Sequence, residues 1–295
     1  AVKASFTYEA NQSGAAREDV ITIKTLKGTS AEVKLTPANF EGELDVRGIS
    51  SAQDLMDFAQ AVNEGTSLTP FMVNGEIALV KDIDASSIKE WIPVGTKESP
   101  FTGVFVGNGY SIKNINWEVD LSKSPYVGLF GYAKGASISG LNLGAAGDVI
   151  TLKGNTTSLN AAAIVGYAEG GSVTNCKVYA SQLYTGSNSG GYIRIAGICG
   201  YSSAEVSRCD NRGNILCPVV ARAAGFVAYN EGTVSDRKNF GCILAEKSGE
   251  IGPAWACSYN KVPANFKQNT GKGHVGSYAT YKDKPEDADW DAYLN

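Results

Sequence analysis

The chain has 295 residues, 34 of them glycine, and 43% of the residues are hydrophobic while only 19% are charged. This balance is typical of turn-rich β proteins and argues against helical bundles and disordered chains. The net charge of -4, with no basic run longer than Arg237-Lys238, argues against nucleic-acid and anionic-membrane partners. No apolar stretch predicts a membrane-spanning helix, and the first ten residues lack the pattern of a signal peptide.

Strand-like stretches dominate residues 1–38. The segments DVITIKT and AEVKLTP flank the turn signal Lys27-Gly28-Thr29, which predicts an antiparallel hairpin, and SFTYEA predicts one further strand. So short a segment can hardly bury a stable core alone. We therefore expect either part of a larger sandwich domain or a strand set docked on the next domain, with a boundary near Pro37-Ala38-Asn39.

A short amphipathic helix is predicted at about residues 51–63, within SSAQDLMDFAQAVNEG. Ser50 or Ser51 would be its N-cap, apolar residues recur at helical spacing, and Gly65 would end it. We expect this helix to cover the open end of the repeat domain C-terminal to it, because an exposed first turn invites edge-to-edge aggregation.

One sequence motif is repeated at least four times in the middle of the chain. GLFGYAKGASISGLNL (128–143) is followed by AIVGYAEGGSVTNCKV (163–178), GICGYSSAEVSRCDN (197–211) and GFVAYNEGTVSDRKN (225–239), and VGNGYSIKNINW, ending at Trp117, is a degenerate earlier copy. Self-similarity at periods of 35, 34 and 28 residues is typical of solenoids and propellers.

The aligned copies predict the local structure of each unit. One column is apolar throughout: Ile112, Ile138, Val173, Val206 and Val234. Two residues later stand types that tolerate a bend: Asn114, Gly140, Asn175, Arg208 and Asp236. The next column is apolar until its last member: Ile115, Leu141, Cys176, Cys209 and Arg237. Each unit is thus a short strand, a bend and a second short strand.

Stacking such units lets every strand pair with its equivalent one turn along, at about 4.8 Å. The predicted fold is therefore all-β, a right-handed parallel β-helix over residues 39–249, with one N-terminal capping helix. A propeller is the alternative, but its four strands per blade need more chain than the 28-residue period supplies.

A tyrosine follows a Gly, Gly, Gly, Ala column in the four copies, and these residues would stack in a β-helix. They are Tyr132, Tyr167, Tyr201 and Tyr229. A sugar-binding stripe is one interpretation. We favour a structural tyrosine ladder, because a feature present in every turn is what the fold itself demands.

Two stretches interrupt the repeats, GNTTSLN (154–160) and ASQLYTGSNSGGYIR (180–194), and we expect both to be projecting loops. Loops carry function more often than regular elements do. Tyr184, Tyr192 and Arg194 are the candidate ligand-binding residues, since rings stack on sugar faces and arginine forks hold polar groups. Their alternative role is to pack the loop on the solenoid. Residues 250–295 should form a C-terminal cap and an acidic tail.

No metal, cofactor or catalytic constellation is predicted. The six cysteines include no C-x-x-C pair, and several occupy apolar repeat positions, which favours buried thiols over disulfides. His274 is the only histidine, so a two-histidine metal site is excluded and any histidine-dependent triad would need this residue. Asp82 and Asp84 form a close carboxylate pair before the repeats, and accepting turn amides is their ordinary role.

The repeat GLFGYAKGASISGLNL resembles the GLUG repeat of bacterial surface proteins, and residues 54–115 resemble the lead-in that precedes such repeats. The resemblance covers about residues 44–243. Residues 5–38 are similar to the closing strands of a BACON domain, an Ig-like module. The resemblance implies a secreted or outer-surface protein, anchored through a lipid on a segment outside this sequence, with adhesion or glycan binding as its function. It implies no catalytic residues. Ala228 and Arg237 depart from the pattern and predict that the regular core ends there.

Three functions remain as hypotheses. The first is a monomeric, non-catalytic cell-surface protein that binds a glycan or host ligand through a β-helix face and its loops. The second is a lyase or glycosidase on a β-helix, which would need two suitably spaced carboxylates or a base beside a cation. The third is a structural spacer. We expect the first.

Overall fold

The computed structural model describes residues 48–246 and, outside that range, the backbone of the strands given below. About 51% of the chain is β-strand, and the strands form a parallel β-solenoid of about four turns preceded by one α-helix. The prediction of an all-β β-helix with a short N-terminal helix is therefore confirmed.

Residues 1–47 form a compact unit distinct from residues 48–295. Its strands are β1 (Val2–Ala4), β2 (Asp19–Lys24), β3 (Ser30–Leu35) and β4 (Leu44–Val46). The predicted hairpin is confirmed, because β2 and β3 pair antiparallel. The division falls later than the predicted boundary at 38/39, since β4 pairs antiparallel with β1 and so belongs to the N-terminal unit. The segment SFTYEA (5–10) and the turn at 27–29 lie outside the described residues.

Helix α1 (Ala52–Glu64) begins and ends where its capping residues predict. Ser51 is the N-cap, and its hydroxyl accepts a hydrogen bond from the Asp54 amide at 3.1 Å. The Asp54 carboxylate in turn accepts from the amide and the hydroxyl of Ser50, at 2.9 and 2.8 Å. Gly65 ends the helix in the left-handed region, at φ 68°. Both serines thus contribute to one cap.

Replacing Ser51 with alanine should lower the free energy of unfolding by about 1 kcal/mol, because the Asp54 amide loses its acceptor. The midpoint of urea unfolding, followed by circular dichroism, measures this loss. Gln53→Ala on the exposed side of the same helix is the control, and its effect should stay below about 0.5 kcal/mol. Equal midpoints for the two variants would contradict the assigned cap.

The chain enters the solenoid through a lead-in of short elements. A 3-10 turn (Thr69–Phe71) precedes β5 (Met72–Val73), β6 (Glu76–Ala78), β7 (Ile83–Asp84), β8 (Val104–Val106) and β9 (Ser111–Lys113). Buried aromatic side chains from α1 and this lead-in meet, with Phe58 of α1 contacting four other phenylalanine rings. The helix thereby covers the start of the core, as the sequence predicts.

Four turns come after the lead-in, each built from strands on four sheets. The first turn contains β10 (Asn116–Asp120), β11 (Tyr126–Val127), β12 (Phe130–Lys134), β13 (Ser137–Ser139) and β14 (Asn142–Leu143). The second contains β15 (Val149–Lys153), β16 (Thr156–Ala162), β17 (Val165–Glu169), β18 (Ser172–Thr174) and β19 (Lys177–Val178).

In the third and fourth turns, the strand before the bend and the strand after it are merged into one. The third contains β20 (Ser181–Tyr184), β21 (Asn188–Ala196), β22 (Cys199–Ser202) and β23 (Glu205–Asn211). The fourth contains β24 (Ile215–Val220), β25 (Arg222–Ala224), β26 (Val227–Asn230) and β27 (Thr233–Asn239). The last strands are β28 (Ile243–Glu246), β29 (Cys257–Asn260), β30 (Asn269–Thr270) and β31 (Val275–Ser277).

Equivalent strands of successive turns pair in parallel and make four sheets. Sheet one runs β10-β15-β20-β24-β28-β31, sheet two β11-β16-β21-β25, and sheet three β12-β17-β22-β26-β29, while sheet four holds the strands around the bend. The predicted projecting loops are therefore wrong. Residues 154–160 contribute to β16, and residues 180–194 contribute β20 and most of β21. These stretches are strands of sheets one and two, which the repeated motif does not include.

The apolar column of the repeats forms a buried ladder in sheet four. Ile138, Val173, Val206 and Val234 are register partners, and each is almost fully buried. The residues on either side of the ladder positions are polar. The Ser137 and Ser172 hydroxyls, for example, contact one another across turns at 3.2 Å. The predicted bends are confirmed, because all five predicted bend residues have left-handed backbone: Asn114, Gly140, Asn175, Arg208 and Asp236.

The degenerate first copy is aligned differently from the prediction. Phe105, not Ile112, lies beside Ile138, whereas Ile112 pairs with Leu143. The Gly-Tyr dipeptide at 109–110 caused the misalignment, because Tyr110 belongs to the turn between β8 and β9, where its amide bonds to the Gly107 carbonyl.

The parallel ladders continue beyond the predicted end of the core. Sheet three extends from β26 to β29, and sheet one from β28 to β31. Ala228 is fully buried in a cluster with Ala196 and Ala224, so the departure from glycine does not end the solenoid. Strands β29 and β31, which follow the predicted division at 249/250, thus extend two of the sheets. Trp255, His274 and the acidic end lie outside the described residues.

The interior cysteines behave as small apolar residues. Cys176, Cys209 and Cys217 are free thiols and are fully buried. Cys176 and Cys209 follow Leu141 in one interior column, as predicted, and burial raises the pKa of Cys217 to about 12. The Cys217 thiol is therefore protonated and unreactive near neutral pH.

Candidate ligand-binding face

The four predicted tyrosines form a continuous ladder on sheet three. Tyr132, Tyr167, Tyr201 and Tyr229 are register partners on successive strands. Successive ring centroids are 4.7, 4.1 and 5.6 Å apart, with interplanar angles of 16°, 10° and 18°. Because each ring faces the next, the ladder presents mainly ring edges and hydroxyl groups on its outer side.

A second column on sheet two lies beside the tyrosine ladder. Its members are register partners on β11, β16, β21 and β25: Tyr126, Asn160, Arg194 and Arg222. The Tyr126 ring meets the rings of Tyr132 and Tyr167 edge-on, at 5.0 and 5.5 Å. The two columns therefore contact one another along the boundary between the sheets.

Acidic side chains hold the hydroxyl ends of the ladder. The Tyr132 hydroxyl donates to Glu169 at 2.7 Å and the Tyr201 hydroxyl to Glu231 at 2.9 Å. Burial and the hydrogen bond to Glu169 raise the pKa of Tyr132, so its hydroxyl stays a donor. The Tyr132 hydroxyl and Lys134, whose Nζ lies 3.0 Å from the carboxylate, lower the pKa of Glu169. This carboxylate is therefore ionised at neutral pH.

Two of the three predicted ligand-binding residues lie on this face. Tyr192, on β21, has 46% of its surface exposed, the largest exposure among the described tyrosines. The guanidinium carbon of Arg194 lies 4.2 Å from the Tyr192 ring centroid and 4.1 Å from that of Tyr229. Arg194 also donates to the Asn160 side chain at 3.0 Å. Tyr192 and Arg194, predicted as ligand-binding residues of a projecting loop, therefore lie next to each other on a strand.

Tyr184 is a correction. Its side chain is fully buried, and its hydroxyl donates to the Ser187 carbonyl at 2.8 Å. It pairs in register with Leu152 on the neighbouring strand of sheet one. Because β20 is a strand of the core and not a loop, Tyr184 packs inside the solenoid and no ligand can reach it.

Tyr126 and Arg222 were not predicted as members of this face, which we call the tyrosine–arginine face. We define it by its aromatic and basic side chains: Tyr126, Tyr132, Tyr167, Tyr192, Arg194, Tyr201, Arg222 and Tyr229. A signal for the missing members does exist in the sequence. Positions 126, 160, 194 and 222 recur at nearly the same intervals as the tyrosines, but the residue types differ, so only spacing connects them.

The close carboxylate pair of the lead-in accepts turn amides, the ordinary role expected for it. Asp82 accepts from the Ser111 amide at 2.9 Å and pairs with Lys113 at 2.7 Å, while Asp84 accepts from the Ser86 amide at 2.9 Å. The contact with Lys113 lowers the pKa of Asp82, and a hydrogen bond from Asn114 lowers the pKa of Asp84. Both therefore stabilise turns, whereas a general acid needs a raised pKa.

The described part of the chain has neither a cluster of metal ligands nor a membrane-spanning helix. No group of three or more histidine, cysteine or acidic side chains there is close enough to hold a metal ion. Nor does any helix in that part have the length and apolarity needed to span a membrane.

Comparison with other proteins adds no family assignment. No family model matches the chain, and no curated protein or solved structure is similar enough to match it.

Proposed function

We propose that this chain is a non-catalytic surface module that binds a glycan on its tyrosine–arginine face. The observation that carries the proposal is the exposed Tyr192 ring beside Arg194, set against a row of tyrosine hydroxyls. An amphipathic ring with one exposed side is suited to stack on the apolar face of a sugar, while guanidinium and carboxylate groups hydrogen-bond to its hydroxyl groups.

The solenoid supports this function by its regularity. Equivalent side chains repeat at the strand spacing of about 4.8 Å, so the face offers a linear series of donors and acceptors. An extended oligosaccharide can contact several turns at once, and many weak contacts then add to a useful affinity. The proposed location at the outer cell surface, with a lipid anchor, rests on the resemblance to GLUG-repeat proteins.

A glycan array probed with the purified protein tests the proposal. Retention of at least one class of oligosaccharide without release of shorter products is the expected result. Depolymerised product would support the alternative of a polysaccharide-degrading enzyme instead. An array without any bound glycan would contradict the proposal and favour a structural spacer.

Tyr192→Ala should weaken binding of a retained glycan about two- to twelvefold, because stacking contacts of aromatic rings contribute about 0.5–1.5 kcal/mol. Titration of the purified variants with that glycan measures the loss. Phe240→Ala is the matched control, since Phe240 is 39% exposed and also lies beside an arginine, Arg212, at 4.5 Å. If the two substitutions weaken binding equally, the site is not on the tyrosine–arginine face.

A further inference from the structure

Two arginines lie next to each other on the tyrosine–arginine face. Arg194 and Arg222 are register partners on β21 and β25 of sheet two. Parallel strands are about 4.8 Å apart, so the two side chains leave the same side of the sheet one turn apart. Both are partly exposed. The fold therefore holds two positive charges side by side, although the chain as a whole has a net charge of -4.

Arg194 has no negatively charged partner among the residues that the structure describes. The ion pairs there join other residues, and the contacts of Arg194 are the Asn160 amide oxygen and aromatic rings. Its Nε is buried, and no hydrogen-bond acceptor for it lies in the described part of the chain. A buried donor without an acceptor costs free energy, so the described residues leave the Arg194 guanidinium incompletely hydrogen-bonded.

The surroundings of Arg194 oppose its charge. Burial lowers the pKa of Arg194, and the positive charge of Arg222 contributes in the same direction. A guanidinium nevertheless stays protonated in proteins. The charge is therefore present and incompletely compensated, in contrast to Arg212 on another part of the surface, which lies 4.0 Å from the Asp210 carboxylate.

Aromatic rings fix the direction of both guanidinium groups. Arg194 lies between the rings of Tyr192 and Tyr229, and the Arg222 guanidinium carbon is 5.3 Å from the Tyr229 centroid. Rings that stack on a guanidinium hold its plane while leaving donors at its edge. Tyr229 thus positions both arginines, and the exposed Tyr192 ring lies beside the pair.

We propose that Arg194 and Arg222 together bind one anionic group, a carboxylate or a sulfate, on an acidic sugar residue whose ring stacks on Tyr192. This inference rests on the proposed function and specifies its ligand class. Planar guanidinium forks match both oxyanions with paired hydrogen bonds. The overall negative charge of the chain disfavours densely charged polyanions such as nucleic acids, so the preferred glycan carries isolated acidic residues.

The test is a glycan array in which every acidic glycan stands beside its neutral counterpart, obtained by carboxyl reduction or by desulfation. We expect the protein to bind the acidic member of at least one pair about tenfold more tightly or better, and rising sodium chloride to remove the difference. Which kind of pair shows the preference distinguishes a carboxylate from a sulfate.

Arg194→Gln and Arg222→Gln should each remove most of the preference, because they should weaken binding of the acidic member at least about fivefold more than binding of the neutral member, which loses only guanidinium hydrogen bonds to its hydroxyl groups. Arg212→Gln, the matched control, should leave the preference intact. Because Arg194 also packs between two rings, Arg194→Lys serves as a second variant. It keeps the charge without the planar fork and should retain part of the preference. Circular dichroism shows whether each variant is folded.

The outcomes separate the inference from the proposed function. Equal affinity for acidic and neutral members, or equal losses on both in the arginine variants, would overturn the anionic site while glycan binding stands. An array on which no glycan of either kind is retained would overturn the proposed function and the anionic site with it.

Discussion

Replacing Phe58 with alanine should lower the free energy of unfolding by about 3–5 kcal/mol, the usual loss for a fully buried phenylalanine. Its ring makes more aromatic contacts than any other described ring of α1 or the lead-in. The centroids lie 5.6 to 6.4 Å from four others: Phe71, Phe101, Phe105 and Phe130. Urea unfolding followed by circular dichroism measures the loss.

Besides lowering stability, Phe58→Ala should loosen the helix that covers the first strands of the solenoid. Phe105 is on β8 and Phe130 on β12, so Phe58 joins α1 to the first strands of the solenoid. The same helix satisfies backbone groups at this end, because the Asn63 amide donates to the Pro93 carbonyl and its oxygen accepts from the Gly95 amide. A loosened helix would expose strand edges, and we expect Phe58→Ala to increase aggregation on heating.

Gln60→Ala is the control for Phe58→Ala. Gln60 is exposed on the same helix and its side chain bonds to Glu64, at 2.8 Å, so its loss should stay within about 0.5 kcal/mol. A loss of less than about 1 kcal/mol for Phe58→Ala would contradict the capping role of α1.

The sequence predicted those parts of the fold that repeat in residue type. The buried column at Ile138 and Val173, the bends after it and the tyrosine ladder all follow from identical or similar residues at one register. Like side chains stack favourably on like ones in adjacent turns, so selection for the fold leaves a visible motif. The caps of α1 were predictable for a similar reason, since each depends on one residue type at one position.

Sheets one and two were not predicted, because their strands share spacing but not residue type. Leu152 pairs with Tyr184 and Asn160 with Arg194, and residues as different as these do not form a recognisable sequence motif. For the same reason, the candidate site was predicted only in part. Tyr192 and Arg194 were found for their chemistry, Tyr184 was misplaced by its neighbours in a supposed loop, and Arg222 was missed.

The candidate site thus forms where sheets two and three adjoin, and the strand register within each sheet aligns its side chains. Each tyrosine of the ladder has a ring face covered by its neighbour. Tyr192 and the two arginines of sheet two are therefore the side chains of the site that are best placed to contact a ligand. The ladder we expected to be structural and the residues we expected to bind form one surface. The close approach of sheets two and three that creates this surface depends on glycine.

Gly166→Ala should destabilise the protein by roughly 3 kcal/mol and disturb the tyrosine ladder, because the position before Tyr167 has no space for a methyl group. A Cβ there would lie 2.5 Å from the Val127 amide nitrogen and 2.7 Å from the Asn160 carbonyl oxygen. Both are backbone atoms of sheet two and cannot rotate away. Urea unfolding measures the loss, and near-ultraviolet circular dichroism reports the changed packing of the tyrosine rings.

Gly170→Ala, in the turn after the same strand, is the control for Gly166→Ala. A Cβ there meets no atom within 4 Å, and only its left-handed φ of 68° opposes alanine, which costs about 1–2 kcal/mol. It should leave the near-ultraviolet spectrum unchanged. The equivalent Gly131 and Gly200 are as closely confined by backbone atoms, whereas Ala228 in the fourth turn packs with Ala196 and Ala224, so the steric demand holds for the first three turns and not for the fourth. If Gly166→Ala proved no more costly than Gly170→Ala, sheets two and three would not be in backbone contact beside Tyr167, and the geometry of the proposed binding face would need another origin.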